Sequence, residues 1–168
     1  MNASVLARVA APALLLTVFG FRPAPPAAAN TFSVKVNGKA LTGKPGFNTC
    51  LLMMNALNLG GNLSDGSHVM LEIMPAAFPK LPATLPLGVQ STEKYVKVFY
   101  YPKGTKDALN YYTSVEGGTL TVTSYNATAR TIAGSFSGKV VRVKNLGQVP
   151  SDALQLTDGR FEVTFTKM

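Results

Sequence analysis

Phe32-Ser33-Val34-Lys35-Val36 alternates apolar and polar residues and runs directly into Asn37-Gly38. A period of two puts Phe32, Val34 and Val36 on one face of an extended strand. Asn-Gly is the preferred pair of a two-residue type I′ turn, whose two central residues both need positive φ. The stretch therefore reads as a β-hairpin, with Lys39 to Thr42 returning antiparallel. The same pattern recurs down the chain. Val69, Leu71 and Ile73 share one face of His68–Met74. Tyr95–Tyr101 carries Val96 and Val98 on one face and Tyr95, Lys97, Phe99 and Tyr101 on the other. Leu120-Thr121-Val122-Thr123 alternates in the same way, Gly134, Phe136 and Gly138 share one side of Ile132–Val143, and Phe161, Val163 and Phe165 point inward from Arg160–Thr166. No segment holds a 3.6-residue apolar stripe. Short strands at close intervals with turn residues between them predict an all-β domain, a single antiparallel β-sandwich with barrel-like closure as its variant.

Several stretches fit this pattern less directly. Asn48–Leu57 is apolar without alternation, as expected of a strand covered on both faces or of a short helix. Gly60-Gly61, Ser64-Asp65-Gly66, Pro102-Lys103-Gly104, Asn126-Ala127-Thr128 and Asp158-Gly159 read as turns. Pro75, Pro79, Pro82 and Pro86 remove ladder donors from Pro75–Gly88, so this segment reads as an extended or irregular loop. Its Phe78, Leu81, Leu85 and Leu87 require it to pack across the domain, where it is a candidate lid.

The front of the chain reads as an export signal. Arg8 supplies a basic start, Val9–Phe21 is an uncharged apolar run, and Ala27-Ala28-Ala29 is an A-x-A cleavage site. The run is too short for the roughly twenty residues of a spanning helix. Residues 1–29 are thus a signal peptide and 30–168 a soluble, exported domain, periplasmic or secreted, without a transmembrane segment. Cys50 is the only cysteine, which excludes an internal disulfide and places no thiol at the cleavage site for lipidation. It lies in an apolar run and reads as a buried thiol. The formal net charge of +8 falls by two once Arg8 and Arg22 leave with the signal. The remaining basic residues are spread along the chain, as on a solvated lysine-rich strand face. Nucleic acid is not an expected partner.

Three segments carry a family likeness: Gly118-Thr119-Leu120-Thr121-Val122-Thr123, Ile132-Ala133-Gly134-Ser135-Phe136-Ser137-Gly138, and Leu156-Thr157-Asp158-Gly159-Arg160-Phe161-Glu162-Val163. With the early Val36-Asn37-Gly38-Lys39 hairpin, the chain resembles a family of small exported bacterial β-sandwich proteins of unknown function, common in the Bacteroidetes and often anchored as lipoproteins. The resemblance implies the fold and the compartment, and implies no catalytic residues.

Little in the sequence points to chemistry. His68 is the only histidine, so a metal site would need every other ligand from carboxylates or Cys50. Ser64, Asp65 and Ser67 stand beside His68, yet residues packed into one loop more often bond to their own turn than form a triad. No calcium loop or phosphate cradle is present, and no cofactor is expected. Met53, Met54, Met70 and Met74 form two short runs that fit core filling better than copper(I) ligation. The leading candidate is aromatic. Tyr95, Lys97, Phe99, Tyr101, Tyr111 and Tyr112 interleave rings with Lys94, Lys97, Lys103 and Lys106, which suits recognition of a protein or glycan. The alternative is a cavity between sheets, lined by Met53, Met70, Leu71 and Phe136, that carries an apolar ligand or lipid. A non-enzymatic binding module is the expectation, a carrier the runner-up and a hydrolase the remote third; ligand and oligomeric state stay open.

Overall fold

The computed structural model describes residues 30–43, 49–53, 56–74, 81–88, 96–104, 110–115, 117–143 and 152–167. The proposed signal peptide lies outside them. Twelve strands occur among the described residues, and no helix: β1 (Thr31–Val36), β2 (Lys39–Thr42), β3 (Thr49–Met53), β4 (Ala56–Asn62), β5 (His68–Ile73), β6 (Ala83–Pro86), β7 (Val96–Tyr101), β8 (Tyr112–Ser114), β9 (Thr119–Asn126), β10 (Thr131–Arg142), β11 (Ala153–Thr164) and β12 (Thr166–Lys167). The domain is all-β, as its alternation predicts.

Hydrogen bonds join the strands into one sheet, ordered β12-β3-β4-β5-β7-β8-β10-β11-β1-β2, with β9 on β10 and β6 on β9. The named strands pair antiparallel except where β12 meets β3, and the isolated Leu87–Val96 bridge is also parallel. The sheet curls into a half-barrel. The β2 edge comes round to the connection after β4: Gly43 bridges Leu63, and the Ser64 backbone N–H donates to the Thr42 carbonyl at 2.8 Å. The concave side holds one continuous core that includes Leu71, Val98, Leu120, Phe136, Leu156 and Phe161.

The opening hairpin forms as read. Asn37 and Gly38 have φ of 47° and 82°, and Val36 pairs with Lys39. The Asn37 side chain also accepts from the Gln155 N–H at 2.8 Å, tying the turn to β11.

Four local readings change. Asn48–Leu57 is neither one strand nor a helix: β3 and β4 fold back on each other, Met53 pairing with Ala56, and the reversal falls on Met54-Asn55, outside the described residues. Gly60 and Gly61 make no turn but lie buried within β4, opposite Met70 and Val69. The reversal comes later, at Ser64-Asp65-Gly66, where Gly66 has φ +91° and Asp65 Oδ1 accepts from the Ser67 N–H at 2.9 Å. Part of the proline-rich segment is a strand: β6 pairs with β9, an edge position that tolerates Pro86. Leu87 is buried and Leu81 and Leu85 pack on the core, as the apolar content requires, while Phe78 lies outside the described residues.

Asp158-Gly159 is the fourth change. Asp158 has φ 52°, yet the chain does not reverse. β11 instead carries one extra residue relative to both neighbours, between the pairs Gly138–Leu156 and Phe136–Gly159 on one side and Lys35–Thr157 and Ser33–Arg160 on the other. A positive-φ residue inside a strand makes a β-bulge when ladders on both sides hold the chain straight. Lys35 Nζ lies 2.8 Å from Asp158 Oδ2 across it.

Candidate functional site

Strands β5, β7 and β8 alternate cleanly. Val69, Leu71, Ile73, Val96, Val98, Tyr100, Tyr112 and Ser114 face the core and are buried. The side chains between them form the opposite face. His68 stands across from Tyr101, Met70 from Phe99 and Glu72 from Lys97, while Phe99 also pairs with Thr113 on β8. All of these are half-buried.

The rings on this face touch in a chain. Ring centroids are 5.9 Å apart for His68–Tyr101, 5.5 Å for Tyr101–Tyr111 and 5.8 Å for Phe99–Tyr111, with interplanar angles of 33° to 59°. Tilted pairs at these distances are the favoured aromatic geometry. They present a corrugated surface rather than one flat plate. Met70 extends it along β5, and Asn62, Glu72 and Lys97 border it.

His68 is held in place. Its Nδ1 lies 3.0 Å from Asn62 Oδ1, and an amide oxygen only accepts, so Nδ1 carries the proton. Burial lowers its pKa, because a charged imidazolium loses water there. Burial likewise raises the Tyr101 hydroxyl, and Tyr111 and Glu72 add to that shift.

The predicted aromatic set is therefore divided by strand parity. Phe99, Tyr101, Tyr111 and Lys97 lie together, half-buried, on the side turned away from the core, and Tyr95 lies outside the described residues. Tyr112 does not join them. It is 5 % exposed on the core side, where it meets Tyr100 edge-on at 5.9 Å. Arg142 closes over Tyr112: Nη2 and Nε donate to its hydroxyl at 2.7 and 3.2 Å, and the guanidinium carbon sits 5.0 Å from the ring centre. Arg142 also donates to Asn110 Oδ1 at 3.2 Å and pairs with Asp152 at 3.1 Å. Sequence reading missed that His68 and Met70 belong to the outer-face patch. The signal was there, since both share the parity of Glu72 rather than that of Leu71.

The residues beside His68 do not assemble as a triad. The Ser67 hydroxyl donates to Asp65 Oδ1 at 2.6 Å, and Ser67 is also hydrogen-bonded to the buried Tyr100. His68 instead bonds Asn62. Ser64 Oγ accepts from the Thr42 N–H at 3.5 Å, at the long limit for such a bond. Among the described residues no three His, Cys, Asp or Glu side chains converge as a metal site.

The alternative cavity lining is also divided. Leu71 and Phe136 are buried in the core, whereas Met70 faces the other way, opposite Gly60 and Phe99. The side chains of Met53 and Cys50 lie outside the described residues; their backbones pair with Ala56 and Leu59. No family model matches this chain, and neither does any curated protein or solved structure.

Proposed function

We propose that this chain is an exported, non-enzymatic binding module of the bacterial envelope that engages a partner protein through the outer face of β5, β7 and β8. In this reading residues 1–29 are removed as a signal, and the two halves of the curled sheet pack face to face as in a sandwich. The observation that carries the proposal is the continuous cluster of Met70, His68, Phe99, Tyr101 and Tyr111 on the side of the sheet turned away from its core. Folding does not use this face to close the core, which is filled from the other side. Tyrosine, phenylalanine and methionine are enriched at protein interfaces because they bring large area with few rotatable bonds or adapt to irregular contours. The border of Asn62, Glu72 and Lys97 supplies the polar rim such a patch needs.

The test is site-specific photocrosslinking in the native envelope. A crosslinker at Tyr101 is expected to give one discrete adduct, reduced by Phe99→Ser and Tyr111→Ser. A control at Thr164, on a distant exposed strand position, is expected to give none. Equal, diffuse labelling from both positions would remove the proposal.

A further inference from the structure

The other flank of the outer face has different chemistry. Where β9, β10, β11 and β1 run side by side, two cross-strand rows carry mostly short polar side chains. One is Thr121, Ser135, Arg160 and Ser33, and the other is Ser124, Ala133, Glu162 and Thr31. Thr123 is the extra residue of a bulge in β9, and its hydroxyl donates to the Ala133 carbonyl at 3.2 Å. Between these strands lies an open groove of about 380 Å³, lined by Thr31, Thr123, Ala133, Ser135, Arg160 and Glu162, with Gly134 and the buried Phe161 beneath.

Arg160 and Glu162 stand two residues apart on the same face, and neither joins an ion pair among the described residues. Arginine only donates hydrogen bonds, a carboxylate only accepts them, and the hydroxyls do both. A simple anion in this groove gains Arg160 and meets Glu162. A simple cation meets the reverse. A hydroxyl both donates and accepts, so it satisfies both residues without bringing a charge of its own. No aromatic ring or long apolar side chain is exposed in the lining to hold a greasy ligand. The geometry points to a binding site for a neutral polyhydroxylated ligand, a mono- or disaccharide. Its volume is in the range of small-molecule sites, about 300–1,000 Å³. The site is separate from the aromatic patch and stands or falls without it.

The experiment is an amide NMR titration of the protein with glucose, galactose, mannose, maltose and cellobiose. At least one sugar is expected to give saturable shifts at Ser135, Arg160 and Glu162, with a dissociation constant on the order of 1 mM for so open a groove. Arg160→Ala and Glu162→Ala each remove one set of hydrogen bonds and are expected to weaken it about tenfold or more. Ala133→Leu, which fills the groove from the outer row, is expected to abolish it. Unchanged core amides in each variant establish that the fold is kept. Absence of shifts at these residues with all five sugars overturns the inference. So do shifts confined to the His68–Tyr111 face, equal shifts with glycine or acetate, or undiminished sugar binding by Arg160→Ala.

Discussion

The ring of Phe136 lies directly over the α-carbon of Gly159, its partner across β10 and β11. A methyl group at Gly159 would stand 2.5 Å from the nearest ring atom. This contact sets the bulge of β11 against the core, since Phe136 is itself only 3 % exposed and belongs to the core cluster. An aromatic ring shielding a strand glycine is a known means of stabilising such a position.

Gly159→Ala is therefore expected to overpack the core and destabilise the domain by roughly 1–3 kcal/mol. In a Phe136→Ala background the same substitution is expected to cost clearly less, because the ring atoms it strikes are gone. Urea denaturation of the four proteins forms the double-mutant cycle. Strictly additive costs would show that the two residues do not interact as placed.

Tyr111 and Tyr112 are neighbours in sequence with opposite duties. Tyr112→Phe removes the acceptor of two Arg142 hydrogen bonds and is expected to cost about 0.5–1.5 kcal/mol. Tyr111→Phe keeps its ring contacts with Phe99 and Tyr101 and is expected to be near neutral for stability. Thermal melts of the two variants compare them directly, and equal losses would contradict the strand parity.

His68 imposes a pH dependence. Burial holds its folded pKa below the ordinary 6.5, so below that pH the unfolded chain takes up a proton that the folded chain refuses. Stability contributed by the neutral ring is complete above 6.5 and declines as pH falls from 6.5 toward the lower folded value. His68→Gln is expected to flatten that part of the curve of stability against pH. A wild-type curve with no slope there would refute the burial of this ring.

Asp65 acts in a more acidic window. Burial raises its pKa, but the Ser67 hydroxyl, the Ser67 backbone N–H and Lys39 together outweigh that and leave it below the ordinary 3.8. Its contribution is present above 3.8 and is lost as pH falls through the lowered folded value. Asp65→Asn is expected to give a shallower acid limb in melts over this range. An acid limb parallel to wild type would show that the Asp65–Ser67 bond carries no linkage.

Much of the architecture was legible because strand period reports burial directly. Val69, Leu71 and Ile73, then Val96 and Val98, then Phe161, Val163 and Phe165 all face the core as their spacing predicts. Gly60-Gly61 and Asp158-Gly159 were not legible as strand residues. Glycine and positive-φ Asp permit a turn but do not compel one, and ladders on both sides hold these positions in extended chain. The division of the aromatic set has the same origin, since Tyr111 and Tyr112 look alike until the register of β8 with β7 assigns each a side.

Local sequence determined what each segment is: an alternating strand, an Asn37-Gly38 turn, an apolar face and a polar face. That information is short-range, because the steric preferences of φ and ψ and the two-residue period act within a few residues. Tertiary structure alone decided which faces meet. It brought His68, Phe99, Tyr101 and Tyr111 into one patch, set Arg160 and Glu162 beside Thr31 and Ser135, curled the described strands into one sheet and turned an apparent reversal at Asp158 into a bulge. Those outcomes depend on pairing between residues far apart in the chain, and no local pattern encodes the partner.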